Sequence, residues 1–207
     1  MIKVHHLNNS RSQRILWLME ELGLDYQIVP YQRDATTNLA PPELAKVHPL
    51  GKSPVIEDGP IKIAESGAIV EYVIDKFGGG KLQPKAGTAQ HAAYIEWLHY
   101  AEGSAMLPLM MRLYLMRLGE AAAPLMPRVD SETANHLGYV SAALGDNDYL
   151  LGDFTGADVQ MSFVAEVGRA FAQLAPFPNL TRYIERIQAR PGYRRSLEKG
   201  GAYNLAG

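Results

Sequence analysis

Apolar residues follow two different periods along the first part of the chain, and each period predicts a different element. Weak alternation over 2–6 predicts a strand, and apolar residues three or four positions apart over 15–22 predict a helix that ends at Gly23. A second short run over 25–30 predicts another strand. Because a strand, a helix and a strand follow in this order, we expect the two strands to lie parallel, joined by a right-handed crossover.

A hairpin and two further helices complete this first part. The turn Asp58-Gly59 separates two short strands, and Pro54 stands near the start of the first of them. Proline cannot donate a hydrogen bond to a neighbouring strand, so it belongs at the strand's beginning, where a cis Ser53–Pro54 bond would turn the preceding backbone outward. Main-chain groups there would be available to pair with a peptide-like ligand. The predicted elements are a helix over 43–47, strands over 53–57 and 61–64, and a helix over 66–77.

Glycine and proline interrupt every period between residues 78 and 85, and no convincing strand pattern follows. We therefore expect a first domain over 1–79, a linker over 80–87 and an all-helical second domain over 88–207. Pro108 should kink the first long helix because its ring clashes with the preceding turn. Helices are predicted over 88–118, 128–145, 156–174, 179–189 and 191–199.

Composition narrows the classes of function. The chain has 207 residues, a formal net charge of -2 and no dense basic run, which argues against a nucleic-acid binder. No apolar run approaches the roughly 18 residues that span a bilayer, and the first residues enter a strand pattern directly, so we expect a cytoplasmic protein that does not bind membranes. The six histidines lack the spacing of a helical metal site, and we expect no metal. The chain has no cysteine, so any thiol chemistry must use a thiol carried by the ligand.

Four motifs are informative because of their order and spacing: NSRSQR over 9–14, HPLGKSPV over 48–55, ESGAI over 65–69 and LGDFTGAD over 151–158. With these motifs the chain resembles the cytosolic glutathione transferases over nearly its whole length. The serine-bearing first motif is closer to the bacterial and fungal serine-type members than to the animal tyrosine-type ones. The bacterial beta-class members carry a cysteine near this position, and this chain has none.

The resemblance implies an α/β plus all-α architecture, in which a thioredoxin-like β-α-β-α-β-β-α domain precedes an all-helical bundle. It also implies an enzyme, a glutathione S-transferase, that binds glutathione as a co-substrate, stabilises its thiolate and transfers it to a small hydrophobic electrophile. Family members usually pair as twofold dimers, so a homodimer is expected. Two other outcomes stay open, namely glutathione-dependent reduction of peroxides or disulfides, and a non-catalytic protein that kept the fold.

By the same resemblance, several residues would hold glutathione. Glu65 would accept from its ammonium group, and Ser66 at a helix N-terminus would hold the α-carboxylate, although both residues also suit plain helix capping. The main chain of Ser53, ahead of Pro54, would pair with the cysteinyl unit. Lys52 would reach the glycyl carboxylate, or it is an ordinary loop lysine.

The ligand thiol must become a thiolate, and the first motif offers several donors. A free thiol has a pKa near 8.5, and lowering it by about two pH units requires roughly 2.7 kcal/mol. A hydroxyl hydrogen bond to an anion contributes roughly 1.5–3 kcal/mol and a helix N-terminus about 0.3–1 kcal/mol. By resemblance Ser10 is the catalytic donor. Ser12 competes as a helix cap, and Asn9 or Arg11 are the other candidates.

The resemblance places an electrophile pocket between the first loop and the first long helix of the second domain. Arg11, Met110 and Tyr114 are its candidate residues, since methionine gives an adaptable apolar wall. Ordinary bundle packing is the alternative for Met110 and Tyr114. Thr155 and Asp158 have the spacing of a capping box, so we expect a structural role for them.

Overall fold

We describe the protein from a computed structural model over residues 1–172 and 174–205. Its contacts divide the chain into two compact units. The first contains Met1–Leu82 and Gln188–Asn204, and the second contains Gln83–Ile187. A mixed sheet with helices forms the first unit and helices dominate the second, so the expected fold class is confirmed.

The first unit is built on a four-stranded sheet with the order β2-β1-β3-β4. As predicted, β1 and β2 are parallel, and β3 pairs antiparallel with both β1 and β4. Pro30 is tolerated inside β2 because β2 is an edge strand. The strands are β1 at Ile2–Leu7, β2 at Tyr26–Tyr31, β3 at Val55–Asp58 and β4 at Ile61–Ala64. The helices of this unit are α1 at Ser12–Leu22, α2 at Glu43–Val47, α3 at Ser66–Phe77 and α9 at Pro191–Gly200.

The hairpin begins as the sequence indicates, with one difference. The Ser53–Pro54 bond is cis. Strand β3 begins at Val55, two residues later than predicted, since Pro54 has no N–H to donate to a neighbouring strand.

Helix α9 packs against α1, and this explains why α1 is buried on nearly all sides. Glu20 of α1 is 6% exposed and accepts hydrogen bonds from Arg195 and Lys199 of α9. Burial raises the pKa of Glu20, but the bonds from Lys199, Tyr26 and Arg195 outweigh this and the net pKa is lowered. The expected second domain ran over 88–207, whereas these contacts group α9 with the first unit. Residues 206 and 207 of that expected domain lie outside the described residues.

In the second unit, the long helix predicted over 88–118 is interrupted. A π-helical segment at Ala101–Ala105 separates α4 from α5, and Pro108 lies three residues beyond it. The proline ring would clash with the carbonyl of residue 104 in a regular α-helix. The wider π-helical turn relieves this clash, and it stands where the sequence predicts a kink. A 3-10 segment, Met116–Ala122, follows α5. The helices are α4 at Ala89–Tyr100, α5 at Met106–Leu115, α6 at Met126–Leu144, α7 at Gly156–Phe171 and α8 at Pro178–Ala189.

The expected capping box is present at the start of α7. The side chain of Thr155 accepts from the N–H of Ala157, and Asp158 Oδ2 accepts from the N–H of Thr155 at 2.9 Å. Asp158 is fully buried, which raises its pKa, although hydrogen bonds from Leu150, Thr155 and Tyr183 oppose that rise. The structural role expected for this pair is confirmed. The predicted end of this helix at residue 174 spans Gln173, which lies outside the described residues.

Candidate functional site

The loop between β1 and α1 holds the candidate thiolate donors, and Ser10 is buried in it. Ser10 is 5% exposed, and its hydroxyl lies 2.8 Å from both the carbonyl oxygen of Leu7 and the hydroxyl of Ser12. Its oxygen also accepts from the N–H of Ser12 at 3.2 Å, so Ser10 supports the start of α1. The hydroxyl proton of Ser10 therefore has two acceptors inside the protein.

Ser12 lies deeper than Ser10 and is fully buried. Its hydroxyl is 2.8 Å from Nδ1 of His6, and the Nε2 atom of His6 is 3.1 Å from the carbonyl oxygen of Gly200 at the end of α9. Burial lowers the pKa of His6, while the bond to Gly200 acts in the opposite direction. From the sequence, His6 has the pattern of a packed strand residue. One of its two polar partners, Gly200, lies on α9, and no local pattern indicates that contact.

Asn9 and Arg11 complete the loop. Asn9 has a left-handed backbone with φ 49°, and its Oδ1 accepts from the N–H of Asn204 at 2.7 Å. Arg33, which the sequence did not single out, donates to the carbonyl oxygens of Asn8 and Asn9 at 3.2 Å each. Burial and the nearby charge of Arg11 lower the pKa of Arg33. The loop is therefore braced on one side by Arg33 and on the other by the segment after α9.

The start of α3 has the features of an anion site. Glu65 precedes the helix with φ 66° and its side chain is exposed, whereas Ser66 is 3% exposed. Arg14 of α1 is 2% exposed, and its Nη2 donates to Ser66 Oγ at 2.8 Å. A buried guanidinium and a helix N-terminus therefore direct positive potential to the same point. The sequence places Arg14 in the first motif but does not indicate its contact with Ser66.

Ser53 is held by its side chain, while its main chain has no partner. Its hydroxyl donates to the carbonyl oxygen of His5 at 2.8 Å and accepts from the N–H of Leu7 at 3.3 Å. Within the described part of the chain, the main-chain N–H and C=O of Ser53 make no hydrogen bond. Lys52, beside it, is exposed. An extended ligand could therefore pair with Ser53 as a short antiparallel strand does.

The contacts bring most of the predicted glutathione residues together. Ser53 and Ser12 both bond to the N–H of Leu7, which places the cis-proline turn beside the first loop. Arg14 joins the start of α1 to the start of α3. The candidates from the second unit, Met110 and Tyr114, both lie on α5; Met110 is half-buried and Tyr114 is 59% exposed.

Comparison with known proteins agrees with this architecture. The family model for the glutathione S-transferase N-terminal domain matches residues 1–75, and that for the C-terminal domain matches residues 101–191. Glutathione S-transferase 1 of Saccharomyces cerevisiae is 36% identical to this chain, over 98% of this chain and 96% of the yeast protein. Glutathione S-transferase 3 of Schizosaccharomyces pombe is 34% identical, over 96% and 88% respectively. The chain belongs to the glutathione S-transferase family.

Solved structures support the same assignment. A glutathione S-transferase from Actinobacillus pleuropneumoniae aligns with a TM-score of 0.90 and 33% identity, covering 100% of this chain and 96% of the other. A family member from Pseudomonas fluorescens, solved with two glutathione molecules bound, aligns with a TM-score of 0.80 and 27% identity over 95% and 92% of the two chains. The family, fold and enzyme class expected from the sequence, those of a glutathione transferase, are confirmed.

Membrane-spanning helices and metal-binding clusters are both absent from the described residues. Over 1–172 and 174–205, no helix is long and apolar enough to cross a membrane. Over the same ranges, no group of three or more histidine, aspartate or glutamate side chains could hold a metal ion.

Proposed function

We propose that this protein binds glutathione on its first unit and transfers the glutathione thiolate to a small hydrophobic electrophile. The observation that carries the proposal is the buried Arg14–Ser66 contact at the N-terminus of α3. A buried cation there suits the α-carboxylate of the γ-glutamyl end, and the exposed Glu65 suits its ammonium group. The glutathione complex of the Pseudomonas fluorescens relative supports the same ligand.

The cysteinyl unit would pair with the main chain of Ser53, which precedes Pro54 across the cis peptide bond. This orientation directs the thiol to the first loop, since Ser53 and Ser12 bond to the same N–H of Leu7. Lys52, which is exposed, would neutralise the glycyl carboxylate.

Ser10 is the proposed donor to the thiolate. To act, its hydroxyl proton must turn away from Leu7 and Ser12 and toward the sulfur. A bond to an anion is stronger than a neutral one, so the exchange is favourable once the thiolate forms. Ser12 is fully buried and bonded to His6, which favours a supporting role for it. Asn9 or Arg11 would give a second donor from the same loop.

The electrophile contacts are proposed for Arg11, Met110 and Tyr114. Met110 and Tyr114 lie four residues apart on α5 and both keep accessible surface, which ordinary core residues lose. A methionine wall adapts to substrates of varied shape. We also propose, by family membership, that the protein works in the cytoplasm as a homodimer; light scattering tests the dimer.

Calorimetric titration with glutathione tests the proposal directly. The dipeptide cysteinylglycine is the matched control ligand, because it keeps the thiol but lacks the γ-glutamyl end that Glu65 and Ser66 would hold. We expect glutathione to bind and the dipeptide to bind at least tenfold more weakly, because the loss of one hydrogen bond to a charged group weakens binding by at least that factor. The absence of heat at millimolar glutathione would exclude the proposal.

A second assay distinguishes conjugation from glutathione-dependent reduction. A chloro-nitroaromatic substrate reports conjugation, and a hydroperoxide and a mixed disulfide report reduction by the same thiolate. Turnover of the chloro-nitroaromatic is expected. Activity on only the hydroperoxide or the disulfide would make the protein a glutathione-dependent reductase, and binding without any turnover would make it a non-catalytic family member.

A further inference from the structure

We propose that His6 is a positioning residue that sets the direction of the hydroxyl protons in the Ser12–Ser10 pair, anchored by the last carbonyl of α9. The consequence for the thiolate rests on the proposed function above. The anchor lies 194 residues away in the sequence from His6, and nothing in the first motif indicates it.

The carbonyl of Gly200 fixes which nitrogen of His6 carries the proton. A carbonyl oxygen only accepts, so the contact of 3.1 Å requires a proton on Nε2. His6 is 4% exposed and has no carboxylate partner within 1–172 and 174–205, which keeps the imidazole neutral and leaves Nδ1 as an acceptor. Gly200 is itself constrained, because a Cβ atom there would lie 2.6 Å from Cδ1 of Leu16.

The direction of the next proton follows from the first. Since Nδ1 of His6 accepts, the Ser12 hydroxyl donates to it at 2.8 Å. The Ser12 oxygen is then an acceptor, and Ser10 can donate to it or to the carbonyl of Leu7, both at 2.8 Å. With His6 neutral, the Ser10 proton has two acceptors inside the protein, the Ser12 oxygen and the carbonyl oxygen of Leu7. We call these the inward acceptors. They compete with the ligand thiolate for the Ser10 proton.

Removal of the Nδ1 acceptor should weaken this competition. The Ser12 proton would then turn to Ser10 or to Leu7 and occupy one of the two inward positions, so that the Ser10 proton turns outward more readily. We expect the pKa of the bound thiol to fall by about 0.5, which gives about threefold more thiolate at low pH. A change of this size corresponds to one weak neutral hydrogen bond.

Two substitutions of His6 separate positioning from packing. His6→Gln places an amide near the Nε2 position and keeps a donor for Gly200, but it removes the acceptor for Ser12. His6→Asn places an amide oxygen near the Nδ1 position and keeps that acceptor, but it loses the bond to Gly200. Ultraviolet titration of the bound thiolate should show the lower thiol pKa in His6→Gln and not in His6→Asn.

The double variant with Ser10→Ala provides the internal check. If His6 acts through the Ser10 hydroxyl, His6→Gln should have no effect on the thiol pKa when Ser10 is alanine. An equal shift in both backgrounds, or equal shifts in the Gln and Asn variants, would overturn the proposal and leave His6 a packing residue.

Nitrogen NMR of the His6 ring in the protein without glutathione tests the proton direction independently of the proposed function. We expect a protonated Nε2 and an unprotonated Nδ1 whose chemical shift changes in Ser12→Ala. A protonated Nδ1 would refute the inference even if glutathione binds. If glutathione fails to bind but the NMR result holds, the proposed function has failed and the proton direction stands.

Discussion

Substitution Ser10→Ala gives a sharp test of the thiolate site because the structure sets a limit on its effect. A hydroxyl bond to a thiolate contributes roughly 1.5–3 kcal/mol, but the proton must first leave a neutral bond of roughly 0.5–1.5 kcal/mol. In this protein the neutral bonds are those to Leu7 and Ser12. The difference is about 1–1.5 kcal/mol, so the pKa of the bound thiol should rise by about 1 in the variant.

The expected result is a pH-dependent loss of activity. Well below the thiol pKa, conjugation by Ser10→Ala should be about tenfold slower, and above that pKa the variant and the parent should converge. Glutathione affinity should change little, since the proposed contact of Ser10 with the ligand is to the sulfur alone. Ser131→Ala, an exposed serine on α6, is the matched control and should leave the profile unchanged.

The assays are a stopped-flow titration of thiolate absorbance and the pH profile of kcat/KM. A rise of two or more in the thiol pKa would mean that breaking the hydrogen bonds of Ser10 to Leu7 and Ser12 requires no free energy, which would contradict the reasoning from these contacts. An unchanged pKa would transfer the donor role to Asn9 or Arg11.

Three further predictions concern binding and stability. Glu65→Gln should weaken glutathione binding by roughly 1.5–3 kcal/mol in calorimetry, while the exposed Glu71→Gln on the same helix should not; equal affinities would contradict the assignment. Gly200→Ala should destabilise the protein by about 1–3 kcal/mol in urea unfolding, because its Cβ would lie 2.6 Å from Leu16, and an unchanged midpoint would argue against this packing. Because burial lowers the folded pKa of His6, the unfolded chain binds its proton first, so stability should fall as pH drops below about 6.5 toward the folded pKa. Urea unfolding of His6→Gln should show a weaker fall, and an identical pH dependence would refute this.

The structure lowers the free energy that Ser10 is expected to contribute to stabilising the thiolate. From the sequence, one serine at the start of α1 could supply most of the roughly 2.7 kcal/mol needed for a two-unit change of the thiol pKa. The inward contacts of Ser10 reduce its net contribution to about half of that. The helix N-terminus, Arg11 of the loop and Arg33, which contacts the loop from beyond β2, would supply the rest.

Much of the fold follows from local patterns, for clear physical reasons. The strand and helix periods predicted the order of the first unit, because side-chain burial alternates with period two in a strand and about 3.6 in a helix. Pro54 marked the start of the hairpin, since a residue without an N–H is confined to few positions in a sheet. The motif around Glu65 and Ser66 also lies where the sequence put it, at the start of α3.

Other features were decided only when distant segments met. An apolar helix face indicates that a helix is buried but not which element covers it, so the packing of α9 against α1 was not foreseen. The same contact supplies the Gly200 carbonyl to His6 and the Asn204 amide to Asn9. Buried Arg14 likewise finds Ser66 across the fold.

The sequence by itself determined the family, the element order and the residue types of the candidate glutathione site, and it excluded a protein cysteine from that site. The tertiary structure decided how the hydroxyl groups of that site are used. Ser10 and Ser12 are two residues apart and chemically alike, yet Ser10 keeps 5% exposure whereas Ser12 is fully buried against His6. Ser12 contacts His6, and His6 contacts a carbonyl from the far end of the chain, which the spacing of the two serines does not indicate.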